Sequence, residues 1–125
     1  MSNKILIYGA NGYTGQLITK EAKERGLDVE IAGRNSASIK ALAQETGFNY
    51  HIVELHESEK LVALLQDYTT VIHCAGPFSE TALPMVEACI KSKTNYLDIT
   101  GEISVFEDIM KYDKKAKEVN IALIP

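Results

Sequence analysis

The chain has 125 residues, one domain's worth, and its 46% hydrophobic and 24% charged residues are ordinary for a globular protein. A net charge of −4 without a basic arm argues against nucleic acid as the main partner. Apolar runs of strand length exclude a membrane span, and two cysteines, with no sequon and no signal peptide, fit a reduced, cytoplasmic protein.

Lys4–Tyr8 reads as a buried strand stopped by Gly9. Tyr13–Arg25 reads as a helix with Leu17, Ile18 and Ala22 on its apolar side and Gly26 at its end. Asp28–Ala32 is a second strand, punctuated by Gly33. Ser36 is the expected cap of a helix reaching Thr46, with Ile39, Leu42 and Ala43 inward. Tyr50–Leu55 is a third strand and Ser58–Leu65 a short helix with Leu61, Leu64 and Leu65 on one face. Val71–Ala75 is a fourth strand, stopped by Gly76-Pro77. Leu83–Ser92 is a helix with Pro84 near its first turn, where the missing N–H is tolerated. Tyr96–Ile99, a helix over roughly Val105–Glu118, and a strand Ile121–Ile124 complete the series.

Strands alternate with helices throughout. Right-handed crossovers then give an α/β doubly wound parallel sheet of about six strands, order 3-2-1-4-5-6, a Rossmann-type fold. The chain stops at Pro125, where such an enzyme usually leads to a substrate domain. The expectation is a cofactor domain whose substrate and catalytic part is absent, or a free-standing small domain. No catalytic residue can be assigned within it.

The stretch "YGANGYTGQL" spaces Gly9, Gly12 and Gly15 three apart at a strand–helix junction. Glycine permits the tight turn and lets backbone N–H groups approach a pyrophosphate at the positive end of the following helix. Gly15 would let that helix pack close to the strand. Gly9, Gly12, Tyr13, Thr14 and Gly15, with Asn11 between them, are the candidates for this role. The pattern departs from G-x-G-x-x-G, because Ala10 stands in place of the first glycine.

About 20 residues on, an NAD-binding domain usually carries an acid that holds the ribose 2′-hydroxyl. Here "IAGRNS" offers none. Arg34 can pair with a 2′-phosphate, and Asn35 and Ser36 can add hydrogen bonds. Glu30 sits mid-strand, away from the strand's carboxyl end. The expected cofactor is therefore NADP(H) in preference to NAD(H). The third place is "HCAGPF", at the topological switch point. Cys74, Ala75 and Gly76 are small enough to admit a cofactor, and Pro77 stiffens the loop. An ordinary strand-to-helix turn is the alternative.

Together "GANGYTG", "AGRN", "CAGPF", "VEAC" and "NYLDITGE" resemble the NADP-binding domain of the saccharopine dehydrogenase-like oxidoreductases. The resemblance implies a Rossmann fold, NADP(H), and hydride transfer to or from a carbonyl, imine or enoyl-type substrate. It also implies a small-molecule substrate held by a missing domain, and a homodimer as a candidate assembly. In "YLDITGE", Asp98 and Glu102 could orient a substrate amine or a polar cofactor group, or the segment could cap the next helix.

Other chemistries find less support. None of the six tyrosines has the lysine four residues on that short-chain dehydrogenases use. The histidines and cysteines lack paired metal-ligand spacing, so no metal is expected. His73 reads as a packed core histidine and Cys74 as an inert thiol. The lysines at 111, 114, 115 and 117 read as a solvated helix face. A non-enzymatic nucleotide-binding or sensor module is the alternative function.

Overall fold

The computed structural model describes residues 3–125. In chain order the elements are β1 (Ile5–Tyr8), α1 (Tyr13–Glu24), β2 (Val29–Gly33), α2 (Ser36–Thr46), β3 (Tyr50–Ile52) and α3 (Ser58–Leu65). They continue with β4 (Thr70–His73), α4 (Phe78–Ser92), β5 (Asn95–Asp98), α5 (Ile103–Met110), α6 (Asp113–Glu118) and β6 (Leu123–Ile124). The six strands form one parallel sheet in the order β3-β2-β1-β4-β5-β6, as the alternation of elements requires. The strand order reverses between β1 and β4, so the crevice of such a sheet opens at the carboxyl ends of these two strands.

Both faces of the sheet are covered, and strand alternation sorts the side chains between them. Ile7 and Ile31 pack with Ala22 of α1 and with Ile39 and Leu42 of α2. Leu6, Tyr8 and Val71 face the other way, onto Leu61 and Leu65 of α3, Met85 and Val86 of α4, and Ile109 of α5. Within α1 the buried positions are Gly15, Thr19 and Ala22, all small. A Cβ on Gly15 would lie 2.3 Å from the Gly9 carbonyl oxygen. The first turn of the helix sits so close to the Gly9-Ala10 backbone that no side chain larger than glycine fits at residue 15. Leu17, expected on the apolar side, lies about 200° around the helix from Gly15, away from this buried stripe, and is 55% exposed.

Three further expectations are corrected. Helix α4 begins at Phe78 rather than Leu83, because the N–H groups of Glu80 and Thr81 already donate to the Pro77 carbonyl at 3.0 and 3.2 Å. Pro84 consequently lies in the second turn, where it withdraws the donor that the Glu80 carbonyl would otherwise receive. The last helix is two helices. Tyr112 tightens the chain with an N–H bond to the Ile109 carbonyl (2.9 Å), and its hydroxyl donates to Glu87 of α4 at 2.6 Å. At the start of α2 the cap is Asn35, whose Oδ1 accepts from the Ser38 N–H at 3.0 Å; Ser36 is already the first residue of the helix.

Glu30, mid-strand in β2, is buried and fully engaged. It accepts from Tyr68 Oη at 2.6 Å, meets His51 Nε2 at 2.7 Å, and pairs with Lys4 Nζ at 2.7 Å. Burial pushes its carboxyl pKa up, but the bonds from Lys4, Tyr68 and His51 outweigh that and hold it at about 2.

Candidate functional site

A cavity of about 960 Å³ opens at the carboxyl edge of the sheet. Four stretches distant in sequence meet there. From the β1–α1 turn come Gly9, Asn11 and Gly12; from the end of β2, Gly33, Arg34 and Asn35; from the β4–α4 loop, Cys74, Ala75, Gly76 and Pro77. The fourth stretch follows β3 and contributes Glu54, Leu55 and His56, and α3 and α4 add Ser58, Val62, Glu80, Thr81 and Pro84.

Gly9 has a left-handed backbone, φ +78°, and a Cβ there would lie 2.7 Å from the Ala75 nitrogen. Only glycine lets the turn rest against the β4–α4 loop in this way. Gly12 and Gly76 differ. A Cβ on Gly12 would meet only the Gly9 oxygen, at 3.6 Å, and one on Gly76 would meet nothing within 4 Å. Both leave backbone open to the cavity. Gly12 is the N-cap of helix α1, which has no capping side chain and no acid in its first turn. Its first intrahelical donor is Gln16 N–H, so the N–H groups of Tyr13, Thr14 and Gly15 are free of helical partners. Tyr13, Thr14 and Ser36 are exposed beside the cavity without lining it, and Gly15 is buried beneath the turn.

Arg34 is exposed on the cavity wall and takes no part in the ion pairs among the described residues. Its charge is felt at Tyr8, whose hydroxyl donates to the Val53 carbonyl at 2.8 Å. Burial pushes the Tyr8 pKa up to about 12; Arg34 opposes the rise, and Glu54 and Glu57 add to it. Glu54 therefore brings a carboxylate to the same cavity that Arg34 lines. This β3 contribution escaped the sequence reading. The strand order held the signal for it, because β3 lies beside β2 and its carboxyl end must share the edge with Arg34.

Cys74 lines the cavity, but burial, with help from Asp98, raises its thiol pKa to about 11, so it is no ready nucleophile. Asp98 is committed to its own loop. It accepts from Tyr96 Oη at 2.6 Å and from the Thr100 N–H at 3.0 Å, and Thr100 Oγ1 in turn accepts from the Glu102 N–H at 3.2 Å.

The cavity thus joins an uncapped helix N-terminus, a glycine turn and an arginine, the donor set an anionic dinucleotide requires. Residues 5–124 match the family described as saccharopine dehydrogenase NADP binding domain. The chain belongs to this family. Membership makes it a domain for a nicotinamide dinucleotide. Among relatives of this NADP-binding domain, the saccharopine dehydrogenase-like oxidoreductase of Rattus norvegicus is 28% identical over 141 residues, covering 97% of this chain and 33% of the relative. The trans-acting enoyl reductase of Mycobacterium tuberculosis is 30% identical over 128 residues, covering 96% and 31%. The chain spans about a third of the length of these curated relatives. Among solved structures, the apo saccharopine dehydrogenase (L-Glu forming) of Saccharomyces cerevisiae superposes with a TM-score of 0.81 at 18% identity, covering 98% of this chain and 26% of that one. That likeness establishes the shared fold. No helix among the described residues is long and apolar enough to cross a membrane.

Proposed function

We propose that this domain holds NADP(H), in preference to NAD(H), for hydride transfer by a saccharopine dehydrogenase-like oxidoreductase. The observation that carries the reading is the convergence of the α1 N-terminus and Arg34 on one cavity. The pyrophosphate would lie over Gly9, Asn11 and Gly12, taking the free N–H groups of Tyr13, Thr14 and Gly15. The 2′-phosphate would pair with Arg34. Asn35 spends its carbonyl oxygen on the Ser38 N–H, which leaves its amide as a donor, and the Ser36 hydroxyl lies next to it. The end of β2 carries no carboxylate to repel that phosphate, since Glu30 is sealed in its own network. Cys74, Ala75, Gly76 and Pro77 would line the ribose–nicotinamide crevice. When bound, the nicotinamide supplies or accepts the hydride, and the chain's own residues bind, orient and shield it. The reacting substrate would be held by residues outside this domain.

The test is calorimetric titration of the wild type and Arg34→Ala with NADPH and with NADH. Charge-assisted hydrogen bonds of this kind make NADPH bind roughly 10- to 100-fold more tightly than NADH. In Arg34→Ala that ratio collapses while NADH affinity holds. An unchanged ratio refutes the role of Arg34, and no binding of either dinucleotide refutes the site.

A further inference from the structure

His73 ends β4 with its side chain wholly buried. The rings of Tyr8, Phe78 and Tyr96 surround it, with centroids 5.8, 5.3 and 5.9 Å away. Its Nε2 lies 3.1 Å from Thr81 Oγ1, and its Nδ1 is buried without a hydrogen-bond partner. An unsatisfied ring nitrogen costs stability that a purely packing side chain would not cost. What the histidine accomplishes is visible one bond further on.

The Thr81 hydroxyl is 2.6 Å from the Ala75 carbonyl oxygen and 3.2 Å from that of Pro77. A hydroxyl has one proton to donate, and the short contact commits it to Ala75. Towards His73 the hydroxyl can then only accept. The ring must carry its proton on Nε2, with a bare lone pair on Nδ1. Burial pulls its pKa down to about 4, so the ring is neutral at ordinary pH. A directed relay runs from β4, through α4, to a carbonyl of the loop between them. That carbonyl belongs to the residue against which Gly9 is pressed, so the relay acts where the two walls of the cavity meet.

We propose that His73, acting through Thr81, is a positioning residue that aims the Ala75 carbonyl and sets the gap for the nicotinamide half of the cofactor. The inference rests on the cofactor reading above and goes beyond it, because His73 itself does not line the cavity.

Two measurements test it. The first records the imidazole nitrogen resonances of the unliganded protein. An Nε2–H, Nδ1-bare tautomer for His73 is expected; an Nδ1–H tautomer overturns the relay. The second titrates the wild type, Thr81→Val and Thr81→Ser with NADPH and with adenosine 2′,5′-bisphosphate, which lacks the nicotinamide half. Thr81→Val preserves side-chain shape and removes the hydroxyl. It is expected to weaken NADPH severalfold, at most about tenfold, because a loop no longer held by this bond must be ordered when the nicotinamide half binds, and the bisphosphate less than about twofold. Thr81→Ser restores NADPH affinity to within about twofold of wild type. Unchanged NADPH affinity in Thr81→Val, or equal loss of both ligands, overturns the relay and leaves the cofactor reading intact. A wild type that binds neither ligand overturns the cofactor reading itself.

Discussion

Gly9 and Gly12 lie three residues apart, yet alanine at each should do different damage. At Gly9 a new Cβ meets the Ala75 nitrogen at 2.7 Å, Ala75 Cβ at 2.8 Å and Ala75 Cα at 2.9 Å, with φ at +78°. The left-handed backbone costs about 1–2 kcal/mol for alanine. Overpacking against backbone that cannot rotate away adds about 1–3 kcal/mol. A total near 3 kcal/mol corresponds to a fall in Tm of about 10 °C for a domain of this size. At Gly12 the φ of −73° suits alanine, and the nearest atom is the Gly9 oxygen at 3.6 Å. Losing glycine at this cap costs at most about 1 kcal/mol. The methyl group would instead stand in the cavity where a phosphate must reach backbone N–H groups, and NADPH should bind at least about tenfold more weakly. Differential scanning calorimetry and NADPH titration of both variants separate the effects. The reasoning is refuted if Gly9→Ala melts within about 2 °C of wild type, or if Gly12→Ala binds NADPH undiminished.

Arg34→Ala should lower the Tm gain from saturating NADPH while leaving the gain from NADH unchanged, which differential scanning fluorimetry reads directly. Glu30→Gln should destabilise the fold by about 1–3 kcal/mol in urea unfolding at neutral pH, since Lys4 and His51 lose their carboxylate. Because the folded carboxyl pKa is depressed to about 2, its contribution is full above the ordinary value of 4.5 and disappears as pH falls towards 2. The stability gap between wild type and variant should close over that interval. Cys74, with its thiol raised to about 11, should react with iodoacetamide far more slowly at pH 8 than a free cysteine, and the fully buried Cys89 more slowly still, as mass spectrometry of timed samples would show.

The sheet was legible because its punctuation is local. Gly9 follows the last residue of β1, Gly33 is the last residue of β2, and Gly76-Pro77 lies just beyond β4, which ends at His73 rather than Ala75, and the strand–helix alternation leaves few other topologies. Nine of the expected cofactor residues, Gly9 to Gly12 (without Ala10), Arg34, Asn35 and Cys74 to Pro77, line one cavity for the same reason. What stayed hidden depends on partners distant in sequence. Nothing in Lys111-Tyr112-Asp113 marks a helix break; the reach of Tyr112 to Glu87, 25 residues away, accompanies it. The early start of α4 depends on the Pro77 carbonyl accepting from Glu80 and Thr81, in a stretch that reads as loop. Leu17 is apolar, but the helix buries the Gly15, Thr19 and Ala22 stripe and leaves Leu17 on the opposite side. Glu54 and Leu55 reach the cavity only once β3 has paired with β2.

The position of β1 between β2 and β4 has a consequence for the order of assembly. A chain emerging from the ribosome amino end first can pair β1 with β2, and β2 with β3, while β4 is still being made. At that stage the glycine turn and Arg34 exist without an opposite wall. The wall arrives with residues 74–77, so at the proposed site a dinucleotide would be gripped only after β4 has joined the sheet. Binding there would couple the early half of the chain to the late half, and ligand concentration would tune how rarely the two come apart.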